Sequence, residues 1–153
     1  KHADLNGSSL FICGPQVMYQ FLRKEIGNLG LRKKDIRWEL FGELKNVDKV
    51  TGYPMEKADR SVTMLVHMGG NTQRISASAG ESVLTALERA GMNPPSVCRS
   101  GVCGFCRSLL ISGDVFIPED EDGRRLADRK FGYIHPCSSF PVSDLEIIIP
   151  RAR

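Results

Sequence analysis

The chain has 153 residues, a net charge of +3 at pH 7, and 41% hydrophobic against 25% charged residues, enough apolar material to bury a core. That charge is too small and too evenly spread to mark a nucleic-acid or anionic-membrane surface, and no apolar run approaches a membrane span, Ile147-Ile148-Ile149 being the longest aliphatic run of the tail. Lys1-His2-Ala3-Asp4 offers no apolar segment of a secretory signal, so a cytoplasmic, reducing compartment is expected.

Leu10-Phe11-Ile12 is a short apolar run of the kind found in a buried parallel strand. Cys13-Gly14-Pro15 turns it into a helix, with Pro near the first helical position. Val17, Met18, Phe21, Leu22 and Ile26 then form one apolar face, and Gly27 and Gly30 mark its end. Ile36 to Phe41 reads as the next strand, giving a single βαβ unit over residues 1–42, with Trp38 as a core residue. A lone βαβ cannot cover both faces of its parallel strands, so these residues are expected to belong to a larger domain. Residues 43–60, with Gly52-Tyr53-Pro54 among them, carry few periodic apolar positions and read as a linker. Charge divides at this seam: residues 1–60 hold 11 Lys+Arg against 8 Asp+Glu, and residues 61–153 hold 10 of each.

Beyond the seam, Val62, Met64, Val66 and Met68 alternate with Thr63, Leu65 and His67. Gly69-Gly70-Asn71 makes a turn, and Gln73 to Ser76 returns as a second strand. Gly80-Glu81-Ser82 opens a helix with Val83, Leu84, Leu87 and Ala90 on its apolar face, and Gly91 stops it before Pro94-Pro95. Leu109 to Ile111 and Val115 to Ile117 read as short strands about a Gly113-Asp114 turn. Glu119-Asp120-Glu121-Asp122 is an acidic run that reads as a solvated loop, or else as a face steering a basic partner. Gly123 to Lys130 holds one or two helical turns, and Leu145 to Ile149 is a β-branched closing strand.

Between helix and third strand stands Cys98-Arg99-Ser100-Gly101-Val102-Cys103-Gly104-Phe105-Cys106, a C-x4-C-x2-C loop, with a fourth cysteine at Cys137. Two irons and two bridging sulfides need four converging thiolates, three of which a short loop can supply. Gly101 and Gly104 let the backbone approach closely, so that amides can point at sulfur. Zinc also accepts C-x2-C, but zinc ribbons repeat a pair of such knuckles and Cys137 stands alone. A disulfide framework would leave one of five cysteines unpaired, and four inert thiols would not gather beside glycines by design of a core. His135, two residues before Cys137, is not needed as a ligand when four cysteines are present.

With Gly80-Glu81-Ser82-Val83-Leu84 before the cysteine loop and Gly132-Tyr133 ahead of Pro136-Cys137, residues 61–153 resemble the plant-type 2Fe-2S ferredoxin family. The resemblance implies a β-grasp α+β fold preceded by a partial α/β unit, with a 2Fe-2S cluster on Cys98, Cys103, Cys106 and Cys137. It further implies that Cys98 and Cys103 hold the iron nearer the surface, and Cys106 and Cys137 the inner one. The βαβ unit, in turn, resembles the last part of the nucleotide domain of the ferredoxin-NADP reductase superfamily. Cys13, Gly14, Pro15, Glu39 and Phe41 match its motifs, which implies places beside nicotinamide and flavin.

That order of domains is similar to phthalate dioxygenase reductase and related oxygenase reductases. It implies an electron-transfer module of an NAD(P)H oxidoreductase, with FMN or FAD and the nucleotide bound by domains of the parent protein. The implied partner is an oxygenase or another acceptor protein. No flavin barrel, Arg-x-Tyr-Ser motif or Gly-x-Gly phosphate loop is present, so this chain alone is expected to bind neither flavin nor NAD(P)H tightly. The alternatives are a free-standing ferredoxin and, in a different class, a zinc-holding structural module.

Overall fold

A computed structural model describes residues 5, 7–14, 16–40, 42–58, 60–119 and 122–150. The chain divides into two units, Lys1–Gly42 and Glu43–Arg153.

In the first unit β1 (Leu10–Gly14) runs parallel to β2 (Ile36–Leu40), with Leu10 opposite Ile36 and Cys13 opposite Glu39. The connection is α1 (Gln16–Ile26), followed by a 3-10 turn that ends at Gly30 in the left-handed region, φ 64°. The buried centre is Ile12, Tyr19 and Ile26, with Leu10, Met18, Leu22, Ile36 and Trp38 packed around it. The expected helix face is thus rotated. Tyr19 takes the central place, and Phe21, two residues and about 200° further round the helix, points away and is 64% exposed. Phe11, alternating with Ile12, lies on the strand's other face and is 72% exposed. Tyr19 is held by polar contacts at the strand ends. Its hydroxyl accepts from the Gly14 amide at 3.0 Å and contacts the carbonyls of Ile12, at 3.2 Å, and Glu39. Trp38 is half-buried, its ring 5.3 Å from that of Tyr19.

The second unit is built on a five-stranded sheet of order β4-β3-β9-β5-β7. Its strands are β3 (Ser61–Met68), β4 (Asn71–Ser78), β5 (Ser108–Ser112), β7 (Tyr133–Ile134) and β9 (Leu145–Ile149). β3 and β9 pair in parallel and the other neighbours antiparallel, so the first and last strands meet in the middle of the sheet. The β3–β4 hairpin turns on Gly69 and Gly70, at φ 62° and 90°, the two positive values a tight hairpin of this twist requires. Because side chains alternate, Val62, Met64 and Val66 are buried while His67 faces the other way, bonded to Thr72 and Glu146 at 2.8 Å each.

One helix covers the inner face. α2 (Val83–Arg89) starts at Ser82, whose hydroxyl accepts from the Thr85 amide at 3.1 Å, and buries Val83, Leu84, Ala86 and Leu87. Its neighbours in the core include Met64, Val66, Ile147 and Ile149. Two short strands that sequence periodicity is too brief to reveal, β7 and β8 (Phe140–Pro141), complete the unit, β8 pairing with β6 (Val115–Phe116).

The stretch 43–60, read as a linker, differs from that expectation. It forms 3-10 turns at Val47–Lys49 and Met55–Lys57, and buries Val47 and Tyr53 with Phe140 beside Phe116. The Tyr53 hydroxyl donates to the Ala79 carbonyl at 2.9 Å. Val47 and Tyr53, with Leu44, Val50 and Ala58 packed against them, carry the packing at no strand or helix period, which is why no period announced it.

Of the acidic run, Asp120 and Glu121 lie outside the described residues. Asp122 is paired with Arg124 through two contacts of 2.9 Å and with Arg129 at 3.5 Å, next to α3 (Leu126–Lys130). The hydrogen bonds from Arg124 outweigh burial and hold the Asp122 carboxyl below its ordinary range.

Tyr19→Phe removes the acceptor of the Gly14 amide, and should cost about 1–3 kcal/mol in urea unfolding followed through Trp38, the single tryptophan. Asp122 binds its proton less readily folded than unfolded, so its contribution is complete above the ordinary aspartate pKa and disappears as pH falls through the folded value. Asp122→Asn should therefore lower stability at pH 7 and flatten the acid limb of a stability–pH curve; parallel curves would contradict that assignment.

Candidate metal centre

The loop from Cys98 to Arg107 leaves the α2 side of the sheet through Pro94-Pro95 and enters β5 at Ser108. Within six residues its backbone is left-handed three times, at Arg99 (φ 57°), Gly101 (φ 79°) and Gly104 (φ 71°). Each reversal turns an amide inward. The Ser100 and Cys103 amides donate to Cys98 Sγ at 3.5 and 3.4 Å, and the Phe105 amide donates to Cys103 Sγ at 3.4 Å. The Gly101 amide reaches across to Cys137 Sγ at 3.1 Å, and Cys106 Sγ lies 3.4 Å from Cys137 Sγ. The fold thus gathers Cys98, Cys103, Cys106 and Cys137 about one loop, with Cys103 exposed and the other three buried. Among the described residues no three donors converge on the position of a single ion.

The thiols differ in acidity. Burial pushes Cys98 up, but hydrogen bonds from Ser100 and Cys103 together outweigh it and bring the thiol down to about 6. Cys106 is lowered by its hydrogen bond with Cys137, against burial; Cys137 is raised by the same bond and by burial. Protons held by this pair would be released on metal binding. Soft thiolate donors ringed by backbone N–H groups fit a 2Fe-2S group, whose sulfurs carry negative charge.

Three supports of this loop were not legible in the sequence. Arg99 holds Glu88 of α2 through both carboxylate oxygens, at 2.7 and 2.8 Å, and Glu43 at 2.9 Å. Glu43 also accepts from the hydroxyls of Ser82 and Thr85, at 3.2 and 3.1 Å. Hydrogen bonding to Arg99 outweighs burial and lowers Glu88. The second support is His135, fully buried, with Nδ1 2.5 Å from the Gly101 carbonyl. The third is Gly123, where an added Cβ would stand 2.7 Å from the Gly101 oxygen and 2.9 Å from Val102 Cα.

Of the residues expected to approach nicotinamide and flavin, Cys13, Gly14 and Glu39 sit together at the ends of β1 and β2; Pro15 and Phe41 lie outside the described residues. Cys13 is exposed.

Residues 66–142, about half of the chain, match the 2Fe-2S iron-sulfur cluster binding domain. The chain belongs to this family. Its function is electron transfer through a 2Fe-2S cluster, on the β-grasp fold just described. Among relatives of this 2Fe-2S protein, the heme-dependent oxidative N-demethylase beta subunit of Ectopseudomonas mendocina is 30% identical over 133 residues, which is 87% of this chain and 38% of that one. The toluate 1,2-dioxygenase electron transfer component of Pseudomonas putida is 38% identical over 85 residues, 54% of this chain and 25% of that one. Phthalate dioxygenase reductase, described as modular for electron transfer from pyridine nucleotides to [2Fe-2S], superposes on 99% of this chain and 44% of its own, with TM-score 0.55 and 23% identity. The chain thus spans less than half of these relatives' length. No described helix is long and apolar enough to cross a membrane.

Gly123→Ala places a methyl group against backbone that cannot yield as a side chain would. It should displace the Gly101–Val102 segment, costing about 1–3 kcal/mol in thermal or denaturant unfolding, with a lower iron content after reconstitution. A variant with unchanged stability and iron content would show that this contact does not support the loop.

Proposed function

We propose that this chain is the C-terminal electron-transfer part of a flavin-dependent NAD(P)H reductase whose acceptor is an oxygenase component. The observation that carries the reading is the set of backbone amides aimed at cysteine sulfur, four of them from one loop. Its ligands are Cys98, Cys103, Cys106 and Cys137. The contact of Cys106 with Cys137, and of the Cys103 amide with Cys98, supports one pair of thiolates for each iron. When bound, the cluster supplies a one-electron carrier whose potential is set by charge, hydrogen bonds to sulfur and exposure.

The protein's own residues do the rest. Loop amides offset thiolate charge, Leu84 beside Cys106 and Cys137 excludes water, and exposed Cys103 marks the side open to an acceptor. Residues 1–42 are the last βαβ of the parent's nucleotide domain. Three things support that: the parallel β1–β2 pair, Cys13 and Glu39 opposite each other at its end, and the relatives' greater length. There Cys13, Gly14, Pro15, Glu39 and Phe41 would border the nicotinamide and flavin. Dividing a hydride's electron pair for a one-electron acceptor is the task this order of domains serves.

Anaerobic reconstitution with iron and sulfide should give a coloured protein with two irons per chain and a rhombic paramagnetic signal on reduction. Cys→Ser at 98, 103, 106 or 137 should lower iron content or shift that signal, while Cys13→Ser should do neither. The holoprotein should take electrons from a reduced flavoprotein and not directly from NADH or NADPH. A colourless product holding one zinc, or Cys13→Ser losing iron, would overturn the ligand assignment; direct reduction by NAD(P)H would overturn the division of labour.

A further inference from the structure

His135 is buried to 1% exposure. Its backbone carbonyl accepts from the Ser138 amide at 2.9 Å and from the Ser139 hydroxyl at 2.9 Å, so the 3-10 turn Pro136–Ser138 fixes where the ring is mounted. At one end of the ring Nδ1 stands 2.5 Å from the Gly101 carbonyl, which can only accept; Nδ1 therefore carries the hydrogen. At the other end Nε2 has no hydrogen-bond partner among the described residues; Asp128 Oδ2 lies 3.5 Å away, and the other oxygen of Asp128 is held by Arg107 at 3.1 Å. Arg107 in turn lies over the Tyr133 ring, 4.7 Å from its centre. Among the described residues the His135 ring thus makes one hydrogen bond, and that bond ends on the cysteine loop.

The residue at which that bond ends is the one least able to hold itself. Gly101, at φ 79°, has no side chain to restrict it. Its carbonyl is gripped by His135 and its amide by Cys137 Sγ at 3.1 Å, two residues further along the same turn. We propose that His135 is a positioning residue for electron transfer: it clamps the Gly101 carbonyl so that the Gly101 amide stays on the Cys137 sulfur. The inference rests on the reading of Cys137 as a ligand. An N–H donated to a ligating sulfur disperses the charge added on reduction, so keeping it in place raises the potential and slows loss of the group.

The variants follow from the reach of the side chain. His135→Asn places an amide N–H near the position of Nδ1, whereas His135→Gln carries its amide out to the position of Nε2, toward Asp128; His135→Leu has no donor. In the reconstituted holoprotein, His135→Gln and His135→Leu should show a lower midpoint potential and shifted g-values. They should also show severalfold faster cluster loss, and faster amide exchange in the peptide containing Gly101. His135→Asn should stay close to the parent on all four. A residue that merely fills space would lower the melting temperature of all three and leave the potential unmoved. Should His135→Leu fail to fold, the Asn and Gln pair decides alone. Equal potentials in that pair overturn the clamp while a coloured parent protein keeps the ligand reading; a parent that takes up no iron overturns both.

Discussion

Everything in the second unit serves one electrostatic constraint: thiolates brought together must be met by donors, or they will not stay together. Water cannot supply those donors where Cys98, Cys106 and Cys137 are buried, so the backbone does. An ordinary extended or helical loop would point its amides alternately or along an axis. Three left-handed residues between 99 and 104 instead curl the chain until its amides face sulfur. The sheet makes this possible by placing the turn that carries Cys137 beside the loop, through the β5–β7 pairing of Ser108 with Ile134 and Leu109 with Tyr133.

Such a loop is not stable by itself, and the size of its strain indicates what must support it. A non-glycine residue in the left-handed region costs about 1–2 kcal/mol, and Arg99 is such a residue. A half-exposed ion pair returns only about 0.2–1 kcal/mol, so Glu88 alone would not hold Arg99 there. The second carboxylate, Glu43, shared with the hydroxyls of Ser82 and Thr85, ties the same guanidinium to the N-terminal turn of α2. Arg99 is thereby fixed at both ends of one helix, and the helix is fixed by the core. On the opposite flank, His135 and Gly123 confine Gly101. The loop is thus held on both flanks, at its one non-glycine left-handed residue and at its least restricted glycine.

What sequence made visible follows from this division. Alternation placed Val62, Met64 and Val66 inside, the Ser82 cap placed α2, and the β-branched run placed β9, because each is a local pattern repeated several times. Four cysteines at fixed spacing made the site legible because ligand chemistry leaves few other uses for them. Glu43 meeting Arg99 across 56 residues leaves no local trace, nor does Gly101 meeting Gly123, since a glycine chosen to avoid a clash looks like any other. Tyr19 displaced Phe21 from the helix face for a related reason. Apolar periodicity scores the ring and ignores the hydroxyl, yet the hydroxyl's bonds at Ile12, Gly14 and Glu39 decide which way the helix turns.

The first unit shows the same principle from its other side, where a requirement is left unmet among the unit's own described residues. Parallel strands are normally buried on both faces, and here α1 supplies cover for only one. Phe11 and Phe21, both large and both largely exposed, are residues that cost free energy in water and gain it only against another apolar surface. Tyr19 nevertheless spends its hydroxyl fastening the two strand ends, so that Cys13 and Glu39 are held opposite each other. A strand end fastened in this way, on a pair that exposes two phenylalanines, accords with the proposed origin of residues 1–42 in a larger nucleotide domain.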